Sequence, residues 1–381
     1  MEIKNLKKAI LKIKKAIKEQ KKFVLFSDMD IDGIVSLIIL EKGLKKIGGK
    51  IVGRYFAERN KERYGLSKKF LRIFKKHSPA FLILTDCGMS NFSEIKLAQK
   101  MGLKVIIIDH HLPLNRIPPA EIIINPHQKN DPYPFKFLTA GTLCFKFAQA
   151  LLKNEMSESL RRDFLGLITL TIFADKMPLE NENKIFIEEG LNYLPLSPRA
   201  GLRLFFKKFK IENLKKDIYQ IIWALQITDK NYLPESYKLL TWPQGKKLKK
   251  LFNLVIKKSF KKGKIIKNLA SQIEKKISLL PLFIFEGGQE FLNFTGPVAN
   301  WLFVKFKIPV FIFSSQGNKV KGSIRAPKEI NTIEIFKKCQ FCLETYGGHA
   351  SASGCALKKK NLEKFKKCLE KELLEKIIQT T

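Results

Sequence analysis

Three carboxylates alternate with apolar residues in Asp28-Met-Asp30-Ile-Asp32, one residue after the apolar run 23–26. In an extended segment, alternate side chains share one face, so we expect these three carboxylates to lie together. Their mutual repulsion would be relieved by a bound cation. The spacing therefore predicts a metal site at the end of a buried strand, and the apolar run 34–40 predicts a helix after Gly33.

Two further apolar runs end in residues that bind metals. Residues 81–84 lead to Asp86, and residues 105–108 lead to Asp109-His110-His111. The carboxyl ends of parallel strands meet at one edge of a sheet, where α/β folds place their chemistry. Carboxylate and imidazole ligands suit Mn²⁺ or Mg²⁺. Two such ions ~3.5–4 Å apart can generate a hydroxide near neutral pH and offset phosphoryl charge, as phosphodiester hydrolysis requires.

The pattern of apolar residues indicates the elements that must position these side chains. Residues 3–17 predict an amphipathic helix, and strands alternate with helical patterns from residue 23 to about residue 190. This alternation predicts an α/β fold with a parallel sheet and right-handed crossovers. Residues 191–280 are mostly helical in pattern, whereas strand-like runs return at 282–285 and 310–313. We expect a catalytic domain at 1–190, a helical connector at 191–280 and a smaller α/β domain at 281–381.

The charge of the chain indicates a polyanionic partner. There are 71 basic residues against 35 acidic ones, a net charge of +36. Nucleic acid is the natural partner of such a surface, although a genome that favours lysine would also produce this bias. Residues 246–276 hold twelve lysines and a single acidic residue, Glu274. This segment predicts a basic helix, used either for strand binding or only as a solvated face.

Composition also bears on location. No apolar run approaches the ~18–20 residues that a membrane span needs, and the lysine-rich start lacks the apolar core of a signal peptide. The six cysteines are scattered without a framework, which predicts a reducing cytoplasm. Cys339 and Cys342 are expected to be packed or free thiols rather than half of a zinc site.

Taken together, the motifs resemble those of the DHH phosphoesterase superfamily, and within it the RecJ branch of nucleases. They occur in the family's order: Asp28 to Gly33, Thr85 to Gly88, Asp109 to His111, Asn125-Pro126, Ala174 to Leu179, Gly322 to Arg325 and Gly347 to Gly354. The last motif resembles the glycine–histidine motif of the accessory DHHA1 domain. The resemblance implies a parallel-sheet DHH domain joined by a helical connector to a smaller α/β DHHA1 domain.

The resemblance also implies roles for individual residues. The implied metal ligands, with Asp86 bridging two ions of Mn²⁺ or Mg²⁺, are Asp30, Asp32, Asp86, His110 and Asp175. The implied catalytic residues are His111, which would face the scissile phosphate, Asp109, which would hold an imidazole, and Asp28, which would ligate an ion or orient a water. Phe26 stands where many DHH relatives carry a histidine, which favours the RecJ branch.

A second set of residues is implied to bind the substrate: Arg59, Ser323, Arg325, Gly347, Gly348 and His349. Adjacent glycines let backbone N–H groups approach an anion closely. The chain departs from the RecJ pattern at residues 226–230, where the family's Asn-Ala-Ala-Gly-Arg segment is expected. It is also expected to lack the oligonucleotide-binding barrel of longer RecJ proteins.

The sequence therefore predicts a metal-dependent exonuclease that hydrolyses single-stranded DNA in the 5′→3′ direction to nucleotides, in DNA repair or recombination. Its expected partner is single-stranded nucleic acid, with DNA favoured, and no membrane. One alternative is a phosphodiesterase for short RNA oligonucleotides or cyclic dinucleotides. Another is a weakly active DNA-binding subunit of replication, although a scaffold has no need for mutually repelling carboxylates.

Overall fold

The computed structural model of the protein describes residues 2–57, 65–113, 116–226, 233–277, 282–327 and 329–380. The chain forms two compact units, Met1–Ser259 and Phe260–Thr381. Each unit contains one five-stranded sheet, which confirms the predicted α/β fold with a parallel sheet first and a second sheet after it. The finer division at residues 190 and 280 stays a prediction.

All strands of the first sheet are parallel, in the spatial order β2-β1-β3-β4-β5. They are β1 Lys22–Ser27, β2 Lys50–Phe56, β3 Ala80–Thr85, β4 Leu103–Ile108 and β5 Ile122–Ile124. The central strands β1 and β3 are buried almost throughout, because helices cover both faces of the sheet. From β1 the chain adds β2 on one side and then β3 on the other, so β1 and β3 form a topological switch point. Such points leave a crevice for ligands at the carboxyl edge of the sheet.

Eleven helices begin in the first unit, counted over its described residues. They are α1 Leu6–Lys18, α2 Ile31–Lys46, α3 Lys68–Lys75, α4 Phe92–Lys100, α5 Ala140–Leu152, α6 Glu158–Ala174, α7 Asn181–Tyr193, α8 Ala200–Lys208, α9 Leu214–Leu225, α10 Glu235–Thr241 and α11 Lys246–Glu274. Helix α1 confirms the predicted amphipathic helix and buries Leu6, Ile10 and Ile13. Helix α2 packs against α5 and α6, so nearly all of its side chains are buried.

The second sheet is mixed, in the order β6-β7-β8-β10-β9. Its elements are β6 Phe283–Gly287, α12 Thr295–Phe306, β7 Val310–Gln316, β8 Lys319–Arg325, α13 Thr332–Lys338, β9 Thr345–His349, β10 Ala352–Lys358 and α14 Leu362–Thr380. Strands β6 and β7 are parallel, and the other neighbouring strands are antiparallel. The strand-like runs read from the sequence correspond to β6 and β7.

The expectation that Cys339 is a packed or free thiol is wrong, because it forms a disulfide with Cys368. Cys339 follows α13 and Cys368 lies in α14, and these helices pack together on one hydrophobic core. The two cysteines are 29 residues apart in the chain, so no local spacing indicated the pair. Cys342, the other half of the Cys-x-x-Cys pattern, is a buried free thiol.

In the described part of the chain, no helix is both long enough and apolar enough to span a membrane.

Candidate metal centre

The three alternating aspartates lie on a turn from strand to helix, so the expectation that they share an extended segment is wrong. Helix α2 already begins at Ile31, with Asp30 as its N-cap and Asp32 in its first turn. The Oδ1 atom of Asp30 accepts a hydrogen bond of 3.0 Å from the backbone N–H of Gly33. This cap fixes the start of α2 close to the end of β1, and the tight turn between them brings the three carboxylates together.

Gly33 makes this turn possible. A Cβ on residue 33 would lie 2.3 Å from the carbonyl oxygen of Asp28, far inside van der Waals contact. The hydroxyl of Ser27 donates to the carbonyl oxygen of Gly33 at 2.7 Å and thereby ties the first turn of α2 to the end of β1. Only a residue without a side chain allows the helix backbone to approach the strand so closely.

Asp32 is fully buried and is fixed by the start of another helix. Its Oδ2 accepts from the N–H of Ala140 and its Oδ1 from the N–H of Gly141, both at 2.8 Å. These N–H groups open α5, where a carboxylate is favoured by the helix dipole. The sequence reading missed both residues. The sequence feature that could have indicated this helix start is Thr139, whose side chain caps α5 by accepting a hydrogen bond from the N–H of Thr142.

The end of β3 presents Asp86 in a left-handed backbone conformation, with φ at 56°. Aspartate tolerates this region better than most residues, and such conformations cluster at functional sites. The N–H of Asp86 still bonds to the carbonyl oxygen of Ile108 at 3.0 Å, which keeps the residue at the sheet edge. Burial raises the pKa of Asp86 well above its usual range, and the neighbouring charges of Asp30 and Asp32 add to the effect.

Beyond β4, Asp109 organises the two histidines. Its Oδ1 accepts from the backbone N–H of His110 at 2.8 Å and lies 2.8 Å from Nδ1 of His111. Burial favours the neutral carboxyl, but the charge and hydrogen bonds of His111 outweigh it and lower the pKa of Asp109. Burial likewise favours neutral His111, yet Asp109 raises the pKa of His111 to about 9. Asn125 holds the loop by donating to the carbonyl oxygen of His111 at 2.9 Å.

The four chain segments converge on His110. Its Nε2 lies 3.3 Å from Oδ1 of Asp86, 3.5 Å from Oδ2 of Asp32 and 3.6 Å from Oδ2 of Asp175. Asp175 is the C-cap of α6. Three sets of potential ligands have all their atoms within 4.8 Å of one another: Asp86-His110-His111, Asp32-His110-Asp175 and Asp28-Asp30-Asp86. Because the sets share Asp86 and His110, the arrangement fits neighbouring cations with common ligands.

The electrostatics of the cluster also suit a cation. Burial, followed by the charge of Asp30, raises the pKa of Asp32 to about 7, even though two backbone N–H groups stabilise its charged form. A divalent ion would offset both the desolvation and the repulsion between the carboxylates. Carboxylate oxygens with an imidazole nitrogen are ligands that Mn²⁺ and Mg²⁺ accept. The residues present therefore fit these metals.

A buried asparagine joins two segments that lead into the site. Asn183 is fully buried, and its Nδ2 donates to the carbonyl oxygens of Phe137 at 2.8 Å and Pro178 at 3.0 Å. Phe137 precedes the start of α5, which binds Asp32, and Pro178 follows Asp175. Asn183 thus fixes the spacing between two of the segments that supply the cluster.

In the second unit, the predicted substrate-binding residues occupy neighbouring positions of one sheet. The strand register places Arg325 opposite Ala352 and Ala352 opposite the backbone of His349. In the same way Ser323 pairs with Gly354, and Gly354 pairs with Gly347. Gly348 has φ at 124°, a conformation that favours glycine. Arg59 lies outside the described residues.

The start of α12 borders these positions. The hydroxyl of Thr295 lies 2.9 Å from that of Ser323, and a Cβ on Gly296 would lie 3.4 Å from Nη2 of Arg325. Desolvation lowers the pKa of Arg325 to about 10, so the guanidinium stays charged at neutral pH. A guanidinium, a hydroxyl and a helix start in one place form an arrangement suited to an anion.

Comparison with known proteins identifies two domains in the chain. Residues 22–172 match the family described as DHH family, N-terminal domain, and residues 295–375 match the DHHA1 domain. The chain therefore contains a DHH domain in its first unit and a DHHA1 domain in its second unit.

Within that family, the chain is similar to RecJ proteins, as the motifs predicted. It is 28% identical over 369 residues to the single-stranded-DNA-specific exonuclease RecJ of Bacillus subtilis (strain 168), covering 94% of this chain and 46% of the relative. The chain thus spans about half the length of that relative. RecJ of Thermus thermophilus in complex with Mn²⁺ superposes with a TM-score of 0.81 at 21% identity, over 98% of this chain and 55% of that one. Another structure, of exonuclease RecJ bound to manganese, gives a TM-score of 0.76 at 21% identity and covers 98% and 95% of the two chains.

Proposed function

We propose that this protein is a metal-dependent exonuclease that hydrolyses single-stranded DNA from its 5′ end. The observation that carries the proposal is the convergence on His110 of carboxylates from the first turn of α2, from the end of β3 and from the end of α6. A buried cluster of repelling carboxylates is costly to the fold unless it holds cations. The DHH domain and the similarity to proteins named single-stranded-DNA-specific exonucleases support this substrate.

The residues of the cluster would divide the work. Asp30, Asp32, Asp86, His110 and Asp175 would hold two ions of Mn²⁺ or Mg²⁺, with Asp86 shared between them. Bound ions of this kind supply a hydroxide near neutral pH and offset charge on the phosphoryl oxygens. Asp28 would ligate an ion or orient a water molecule.

His111 is suited to proton transfer. Asp109 holds the ring through Nδ1, which fixes its orientation and leaves Nε2 as the nitrogen that can donate to the leaving oxygen. The same contact favours the protonated ring, so His111 would enter the reaction able to give a proton.

The second unit would bind the substrate's phosphate. Ser323 and Arg325, with Gly347, Gly348 and His349 on neighbouring strands, would bind the 5′-phosphate. Arg59 is proposed, from its motif alone, as another phosphate-binding residue. A guanidinium can grip a phosphate through two parallel hydrogen bonds, and such an end pocket would set the 5′→3′ direction. We further propose a role in DNA repair or recombination in the cytoplasm.

The proposal is tested with single strands of DNA and RNA that carry a label at either end, in the presence of Mn²⁺ or EDTA. We expect mononucleotides to be released first from the 5′ end of DNA, and EDTA to stop the reaction. Asp86→Asn is the inactive control, and Asp217→Asn, a change at a half-buried residue in the first turn of α9 and outside the cluster, is the matched control that should stay active. Faster cleavage of short RNA or of cyclic dinucleotides would instead favour the alternative substrates, and cleavage that resists EDTA would remove the metal mechanism.

A further inference from the structure

A groove with a volume of ≈ 340 Å³ lies along α10 and α11, entirely within the first unit. Its apolar surface comes from Trp242, Leu251 and Leu254. Trp242 is 36% exposed and Leu254 is 46% exposed, so the groove presents an aromatic ring and an aliphatic side chain to solvent. A large exposed aromatic residue in a concave surface is a common feature of binding sites.

The rim of the groove is positively charged. Lys238, Lys247 and Lys250 line it, and among the described residues none of the three pairs with a carboxylate. Glu235 also lines the groove, but Lys258 neutralises it through an ion pair of 2.6 Å. This shallow groove therefore combines an apolar lining with three lysines whose charge is not offset nearby.

We propose that this groove binds a segment of single-stranded nucleic acid, with a base stacked on Trp242 and backbone phosphates at the three lysines. The proposal rests on the proposed nuclease function, because that function supplies the strand. Proteins that bind single strands without sequence preference combine a basic groove with aromatic rings, since every base has a face that can stack. A bare acidic peptide would use the lysines but would leave the tryptophan and the leucines without a partner.

The groove is separate from the metal centre. Tyr237 of α10 donates a hydrogen bond to Glu41, which lies nine residues after Asp32 in α2. At 1.5 Å per residue, Asp32 and Glu41 are about 13.5 Å apart along the axis of α2. The groove would therefore hold nucleotides other than the one being cleaved, and would anchor the strand while its end is shortened.

Fluorescence of Trp242 provides a direct test, because the chain has only three tryptophans. In the 381-residue chain with Trp223→Phe and Trp301→Phe, Trp242 is the sole tryptophan. EDTA prevents cleavage while the protein is titrated with a twelve-nucleotide single strand, with an abasic strand of equal length, or with polyglutamate. We expect the first to quench the fluorescence and the abasic strand and polyglutamate to change it little. Equal quenching by the abasic strand, or by polyglutamate, would overturn base stacking in the groove.

Affinity gives a second measurement. Loss of one stacked base should weaken binding of the twelve-nucleotide strand about tenfold in Trp242→Ala, whereas Trp242→Phe should keep most of the affinity. Thermal unfolding of both variants shows that each is folded. An affinity in Trp242→Ala equal to that of the unchanged protein would refute the proposal.

The two proposals fail in distinguishable ways. Hydrolysis of a 5′-phosphorylated strand by the unchanged protein with Mn²⁺ tests the nuclease by itself. If the strand is cut but the fluorescence of Trp242 does not respond, the proposal for the groove is wrong and the proposed nuclease function is supported. If the fluorescence of Trp242 responds but no cleavage occurs under any metal condition, the proposed nuclease function is wrong. The groove then binds single strands in a protein that does not cleave them.

Discussion

Replacing Gly33 by alanine tests whether the turn between β1 and α2 positions the metal ligands. The added Cβ would lie 2.3 Å from the carbonyl oxygen of Asp28, and real contacts of this kind are not shorter than 3.0 Å. The first turn of α2 must therefore move by about 0.7 Å or more, and Asp30 and Asp32 must move with it. Overpacking of this kind costs about 1–3 kcal/mol of stability. A displacement near 1 Å at a catalytic group can reduce the rate about a hundredfold.

Gly43 offers a matched control in the same helix. A Cβ there would lie 3.5 Å from Cβ of Ala148, which is ordinary van der Waals contact. Alanine has a higher helix propensity than glycine, so Gly43→Ala should raise the free energy of unfolding by up to about 1 kcal/mol. Its hydrolytic activity should be unchanged. Thermal unfolding and the hydrolysis rate are measured for both variants. If Gly33→Ala matches Gly43→Ala in both measurements, the close approach at Gly33 does not position the ligands.

Three other variants test the proposed roles. Asp86→Ala should abolish hydrolysis and weaken Mn²⁺ binding in calorimetry, yet leave affinity for DNA largely intact; near-normal turnover would remove the shared ligand. Arg325→Ala should reduce the preference for 5′-phosphorylated over 5′-hydroxyl strands by roughly 1.5–3 kcal/mol, the scale of a hydrogen bond to a charged group. If the ratio of kcat/KM for 5′-phosphorylated strands to kcat/KM for 5′-hydroxyl strands does not change, Arg325 does not recognise the 5′-phosphate. The basic helix is tested by replacing with glutamine the exposed lysines Lys257, Lys261, Lys264 and Lys267. Each phosphate contact that is lost should reduce the slope of log K against log salt by about 0.7, and an unchanged slope would make α11 a solvated helix.

The sequence by itself determined the fold class and the main location of the site. Apolar runs of strand length that end in Asp86 or in Asp109-His110 indicated parallel strands, and parallel strands bring their carboxyl ends to one edge. That inference needed only local patterns, because the period of the apolar residues is set within each element. Family motifs added Asp175, which no local pattern would have connected with the others.

Only the tertiary structure decided how the ligands are held. Asp32 is fixed by the N–H groups of Ala140 and Gly141, which are more than a hundred residues away in the chain. The start of α2 depends on a backbone approach at Gly33 that allows no side chain, and the disulfide of Cys339 joins two helices that meet only after folding. Each of these contacts is made between segments that the chain brings together when it packs. Local periodicity specifies an element, but it carries no information on which distant N–H group, carbonyl or thiol will lie within bonding distance of it.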